Sequence, residues 1–204
     1  MRSNDPSAYY CAYVKAEKGL IPWHDIEAII LKEVVTGNLP SLNTNVKACW
    51  TEDDIWFRFE CEDDHIVSNM TNHDDPLYEE DVVELFIDED GLRTVYYEIE
   101  LSPRNVVFDA IIHNDNNTLM KVDTSWHVLG LETKVDRAEQ LSIYEIKIPL
   151  VNFKRLPVQG MKWFWNAFRI DEDEQGDRHY SAWLPTGAIN FHLPGFFGTL
   201  VFIR

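Results

Sequence analysis

Glu84 is the side chain whose surroundings are hardest to reconcile with its chemistry. It sits inside the apolar run Val82-Val-Glu-Leu-Phe-Ile87. Such a run, β-branched, aromatic and bounded by turn signals, reads as a strand buried on both faces. Alternation sets Glu84 on the side of Val82 and Phe86, with Val83, Leu85 and Ile87 pointing the other way. A carboxylate there must be paired, hydrogen-bonded or open to a pocket, because an unpartnered buried charge is too costly. It is a satisfied structural glutamate, an edge-strand device, or a polar group on the floor of a ligand groove. In the last case Tyr78, just upstream in the acidic turn Pro76-Leu-Tyr-Glu-Glu-Asp81, stands at the rim.

Other chemistries lack their signatures. The sequence holds no G-x-S-x-G, no H-E-x-x-H and no phosphate-cradling glycine loop, and it has only 9 Gly in all. The 7 His are scattered singly. The 35 acidic residues leave room for a pair of glycosidase carboxylates, but no spacing locates one. A haem-binding redox module would need axial ligands drawn from Met70, Met120 or Met161 with one of the scattered His. What stands out is an aromatic surplus, 7 Trp, 8 Tyr and 11 Phe, interspersed with polar groups. Sugars present an apolar C–H face to a flat ring and hydroxyls to carboxylates, amides and Arg.

The elements that must position these residues are strands. One is expected over residues 9–16, closed by Lys18-Gly19, and another over 27–35. Residues 46–62 read as a hairpin about Asp53-Asp54, with Trp50 opposite Phe57, Ala48 opposite Phe59 and Lys47 opposite Glu60. A four-residue loop is the alternative to that mediocre turn. The acidic loop over 63–75 holds a short strand at 65–69. In residues 94–101 Val95, Tyr97, Ile99 and Leu101 face inward against Tyr96, Glu98 and Glu100. Further strands are expected at 105–112, 129–135, 141–148, 163–170, 180–183 and 197–204, with a helical turn at 149–153. The result is an all-β, single-domain antiparallel β-sandwich of immunoglobulin or jelly-roll type, with about eleven short strands. A formal net charge of -17 disfavours nucleic acid and anionic membranes as partners. Without an apolar leader the expected compartment is the cytoplasm, or the extracellular space if the chain is a mature fragment. Cys11, Cys49 and Cys61 read as small buried thiols, with no direct bridge between the last two in either hairpin register.

Four stretches carry a resemblance. The run Leu77-Tyr-Glu-Glu-Asp-Val-Val-Glu-Leu-Phe-Ile-Asp88, the following Tyr96-Tyr97-Glu98, Ser181-Ala-Trp-Leu-Pro-Thr186 and the closing Pro194-Gly-Phe-Phe-Gly-Thr-Leu200 resemble carbohydrate-binding module family 9 over residues 44–204. The resemblance implies a β-sandwich that binds sugar chain ends without chemistry of its own, as an appendage of xylan-degrading enzymes. It implies two aromatic walls around a terminal sugar at positions that here are Tyr78 and Phe191, with Glu84 as a strand carboxylate. Both walls are Trp in well-characterised sugar binders, so the smaller rings here predict weaker binding or another glycan. We add Asp109 and Arg169 as ligand-binding candidates, from strands expected to neighbour the site; Arg169 also has the acidic loop as a partner. No cofactor is required. The family's structural calcium has possible oxygen donors here in Asp171, Asp173 and Asp177, against a reading of that loop as merely solvated. Both walls are expected to be free of the core.

Overall fold

The computed structural model describes residues 5–16 and 19–204, so Lys18 of the expected first turn lies outside the described residues. The strands in chain order are β1 (Ala8–Tyr13), β2 (Ala28–Ile30), β3 (Lys32–Glu33), β4 (Thr44–Trp50), β5 (Asp54–Glu62), β6 (Val82–Asp88) and β7 (Val95–Leu101). They continue with β8 (Val107–Asp115), β9 (Thr118–Asp123), β10 (Glu132–Ala138), β11 (Leu141–Pro149), β12 (Lys162–Glu172), β13 (Arg178–Ala182) and β14 (Gly198–Ile203). Helical structure among the described residues is confined to 3-10 turns such as Leu77–Glu79 and the expected one at Leu150–Asn152. The all-β expectation holds.

Two finer expectations do not. One 14-stranded sheet has eleven strands in the order β10-β11-β5-β4-β1-β14-β12-β6-β7-β8-β9, with β2 on β4, β13 on β12 and β3 on β13 beside that path, and it is mixed, because β1 is parallel to both its neighbours, β14 and β4. Parallel neighbours need long connections, and here they are strands far apart in the chain. The structure has 14 strands against twelve expected besides 65–69, because β9 was not expected and residues 27–35 split into β2 and β3. Residues 65–69 are irregular instead of a strand.

The sheet curls, so strands from the two halves of this path share one core. Phe57 and Ile146, from β5 and β11, belong to the same buried cluster as Leu85 and Ile99, from β6 and β7. Phe57 lies 5.4 Å from Trp165 of β12, centroid to centroid. A second cluster, with Phe86, Tyr96, Phe108 and Phe168, covers the opposite face of β6, β7, β8 and β12. Strand β6 is therefore buried on both faces along its whole length, as its composition requires.

The hairpin keeps its faces but shifts its register by two residues: Trp50 pairs with Ile55, Ala48 with Phe57 and Lys47 with Arg58. Asp53-Asp54 does not make the tight turn. Instead Thr51 Oγ1 accepts the amides of Asp53 and Asp54 at 3.4 and 3.1 Å, closing a four-residue loop. Lys47 still reaches Glu60 diagonally, at 3.1 Å. Cys49 then faces Trp56 and Cys61 faces Thr44, and all three cysteines are free and buried.

Candidate functional site

The second cluster does not fill its face. Between the turn at Leu77–Glu79, strands β6 to β9, β12 and β13, and the segment before β14, a cleft of about 610 Å³ opens. Tyr78, Glu84 and Phe191 all line it. Phe191, distant in sequence, thus meets Tyr78 and Glu84 in one place.

Tyr78 is held at the rim by the acidic turn. Leu77 is its buried anchor. The Glu80 carboxylate accepts the Asn69 and Met70 amides, and Asp81 accepts those of Val67 and Glu172 at 2.7 and 2.8 Å. These bonds fix the turn to the preceding loop and to β12 and leave Tyr78 50% exposed. Phe191 is different. It is 8% exposed and stacks on Phe168 with centroids 4.2 Å apart and planes 12° from parallel. This wall is part of the core, contrary to expectation, because the ring has apolar neighbours on the sheet beneath it.

The floor holds a cluster of glutamates. In the ladder Glu84 stands opposite Glu100, and Glu98 opposite Phe86, so Glu84, Glu98 and Glu100 share one face. All three are buried, and one oxygen from each lies within 4.8 Å of the others. Burial, with the charge of Glu98 as a second cause and Arg178 opposing, raises the Glu84 carboxyl well above its usual range. Burial pushes Glu98 up to about 8. Glu100 rises for the same reason, reinforced by its two neighbours. Glu84 Oε1 and Glu100 Oε2 have no protein partner. Arg178, also lining the cleft, donates through Nη2 to the Tyr78 carbonyl while its Nε has no partner. His192 closes the far side, its Nδ1 2.9 Å from the Tyr96 hydroxyl and its pKa lowered by burial to about 4.

The structure does not bring Asp109 and Arg169 to this cleft. Asp109 pairs across the ladder with Ile99 and Arg169 with Val83, both members of the first cluster. Strand alternation therefore turns both side chains to the face opposite Glu84. Arg169 donates to Thr44 Oγ1 at 3.1 Å and to the Glu62 carbonyl at 2.7 Å, and forms an ion pair with Asp171. It ties β12 to β4 and β5. Asp173 accepts the Gln175 and Asp177 amides, both at 2.9 Å, and closes the acidic loop on itself. Among the described residues the converging His and carboxylate groups are the glutamate cluster and a set about Asp109, and Asp171, Asp173 and Asp177 form no such group. Met70 packs on the second cluster, Met161 on the first, and Met120 is exposed.

Glu98, Glu100 and Arg178 were not expected in the site. The signal for two of them was present: in an antiparallel pair with Glu84 opposite Glu100, both must share its face.

A family profile described as carbohydrate family 9 binding domain-like matches residues 21–204. The chain belongs to this family. The family 9 fold recurs in a module from Caldicellulosiruptor kristjanssonii solved with cellotriose, at 16% identity and a TM-score of 0.72, covering 96% of this chain and 93% of that one. Its structure with glucose gives 17% identity and the same TM-score of 0.72, covering 97% of this chain and 96% of that one. By sequence, the family 9 chain is 25% identical over 200 residues to a protein of Arthroderma benhamiae described as extracellular, covering 90% of this chain and 88% of that one.

Proposed function

We propose that this chain is a single-domain, sandwich-like, non-catalytic module that binds the terminal sugar of a gluco- or xylo-oligosaccharide in the cleft, in support of polysaccharide breakdown. The observation that carries the site is Glu84. Its Oε1 is a buried acceptor without a protein partner, on the floor of a cleft with an exposed ring at its rim. An unmet buried acceptor costs about 1–3 kcal/mol, and a ligand hydroxyl donating to it relieves that cost. Tyr78 supplies the flat apolar face, while Glu100 and Arg178 offer a further acceptor and donor to the ring of hydroxyls. Glucose and cellotriose as ligands of the structural neighbours support this ligand class. The three glutamates sit on adjacent strands of one floor, whereas glycoside hydrolysis sets two carboxylates on either side of the scissile bond. That arrangement favours binding over turnover.

An extracellular setting accords with this reading and with the fungal relative. No helix among the described residues is long and apolar enough to cross a membrane. Burial pushes the thiols up, Cys49 to about 12 and Cys61 to about 11, so little thiolate is available for oxidation.

The test is calorimetry against glucose, cellotriose and xylotriose on wild type and Tyr78→Ala. A dissociation constant in the micromolar to millimolar range, roughly 4–8 kcal/mol, is expected for at least one sugar. Equal affinity in the two proteins, or no binding to any of the three, would refute the assignment.

A further inference from the structure

Behind the rim of the cleft, three segments converge on Asp109. Its side chain is 1% exposed and accepts the Val128 amide at 2.7 Å through Oδ2. Its other oxygen, Oδ1, lies 3.1 Å from His73 Nε2 and 2.9 Å from His127 Nδ1. The two ring nitrogens are themselves 3.1 Å apart, and Asp74 Oδ1 is 3.3 Å from His73 Nε2. His73 and Asp74 belong to the loop before the Tyr78 turn, Asp109 to β8, and His127 to the connection from β9 to β10.

Hydrogen bonds alone do not satisfy this triangle. A ring N–H points one way, so each imidazole can donate along one edge only. If both donate to Asp109, the two N–H groups crowd each other; if one donates to the other ring, a carboxylate contact is left facing a lone pair. A single cation at the centre accepts all three lone pairs at once. Donors about 2.0–2.1 Å from a zinc-like ion at tetrahedral or octahedral angles stand about 2.9–3.4 Å from one another. The four measured separations, 2.9, 3.1, 3.1 and 3.3 Å, fall in that interval.

We propose that His73, His127, Asp109 and Asp74 form a binding site for a borderline first-row divalent cation of the zinc type. Two imidazoles and carboxylate oxygens suit such ions, whereas calcium takes six to eight oxygens and has little use for ring nitrogens. The Val128 amide on the far oxygen of Asp109 acts as an outer partner that orients the ligand. His73 and His127 are about half exposed, which gives the ion a way in. Bound there, it would clamp the loop that leads to Tyr78 onto β8, and Asp74 itself lines the sugar cleft.

The experiment titrates metal-stripped protein with Zn²⁺, Co²⁺ and Ca²⁺, following heat, melting temperature and the visible d–d absorption of Co²⁺. Asp109→Asn could unfold the buried site, so the variants are H73A, H127A and their double, all at half-exposed positions. One equivalent of Zn²⁺ or Co²⁺ should bind wild type, raise its melting temperature and, for Co²⁺, give a visible band lost in both single variants. Each single change should weaken Zn²⁺ affinity by at least about 100-fold, more than the loss of an outer partner costs. Zn²⁺ binding no tighter in wild type than in the double variant would overturn the proposal. So would Ca²⁺ binding in preference to Zn²⁺, abolished by these same changes.

Discussion

The cleft depends on three side chains that play physically different parts, and substitution separates them. Tyr78 is half exposed, so Tyr78→Ala should weaken sugar binding by about 2 kcal/mol while stability stays within about 0.5 kcal/mol of wild type. Calorimetry and a thermal melt on one sample check both. Phe191 is core and wall together, so Phe191→Ala should cost roughly 3–5 kcal/mol of stability and confound any binding measurement. Phe191→Leu keeps most of the packing and is the informative change. Glu84→Gln removes an ionisable group from among three buried carboxylates without altering shape. It should raise the melting temperature and still weaken binding by roughly 1–2 kcal/mol, because one acceptor oxygen becomes a donor amide. A variant with lower stability and unaltered sugar affinity would show Glu84 to be structural.

Strands β6 and β7 carry a pH dependence of their own. Glu98 has an ordinary value of 4.5, raised in the fold by burial to about 8. Between those values the folded protein holds a proton that the unfolded chain has released, so stability falls as pH rises. The contribution is intact below 4.5 and lost by about 8. His192, lowered by burial to about 4, acts oppositely, costing stability as pH falls below 6.5. Denaturant melts of wild type and Glu98→Gln across this range isolate the first effect: the variant should gain on wild type steadily as pH increases, and parallel curves would remove Glu98 from the account. These strands also mark how far sequence reading reaches. The double burial of β6 was legible because its run has almost no polar face, and Glu84 stood out against it. The burial of Tyr96, Glu98 and Glu100 was not, because alternation with two glutamates reads as a half-solvated strand. Asp109 and Arg169 interrupt apolar strands as Glu84 does, but strand membership alone does not give a face; the ladder pairing does. The hairpin takes the four-residue loop, the alternative to the Asp53-Asp54 turn, for a local reason: the Thr51 hydroxyl closes it. In the closing motif, the Gly198 requirement is tertiary: a Cβ there would meet Trp183 Cη2 at 2.5 Å and the Ser7 carbonyl at 2.7 Å.

At the scale of the whole molecule, closure rests on a strand that the family match leaves out. The match begins at residue 21, yet β1 lies between β14 and β4 and joins the two halves of the curled sheet. Tyr9 and Cys11 point into the shared core, where both are buried. The Tyr9 hydroxyl accepts the Ala48 amide at 2.8 Å and lies 2.8 Å from the Glu27 carbonyl and 3.0 Å from that of Ala48, so β1 also ties in the segment that leads to β2. Removing residues 1–20 would expose the edge of β14 and the Cys49–Trp50 end of β4, which β2 does not cover, and open that core, the situation in which sheets pair with other chains instead. Such a truncation should therefore aggregate or lose its cooperative melt, although the match to the family would be intact. Tyr9→Phe tests the same junction more gently. It preserves the ring contact with Trp165 at 5.5 Å and leaves a buried amide without its acceptor, at a cost of about 1–3 kcal/mol. Chemical denaturation should register that loss with no change in sugar affinity, since β1 lies outside the cleft. A truncated chain that melts cooperatively at the wild-type temperature would show that the sheet closes without its first strand.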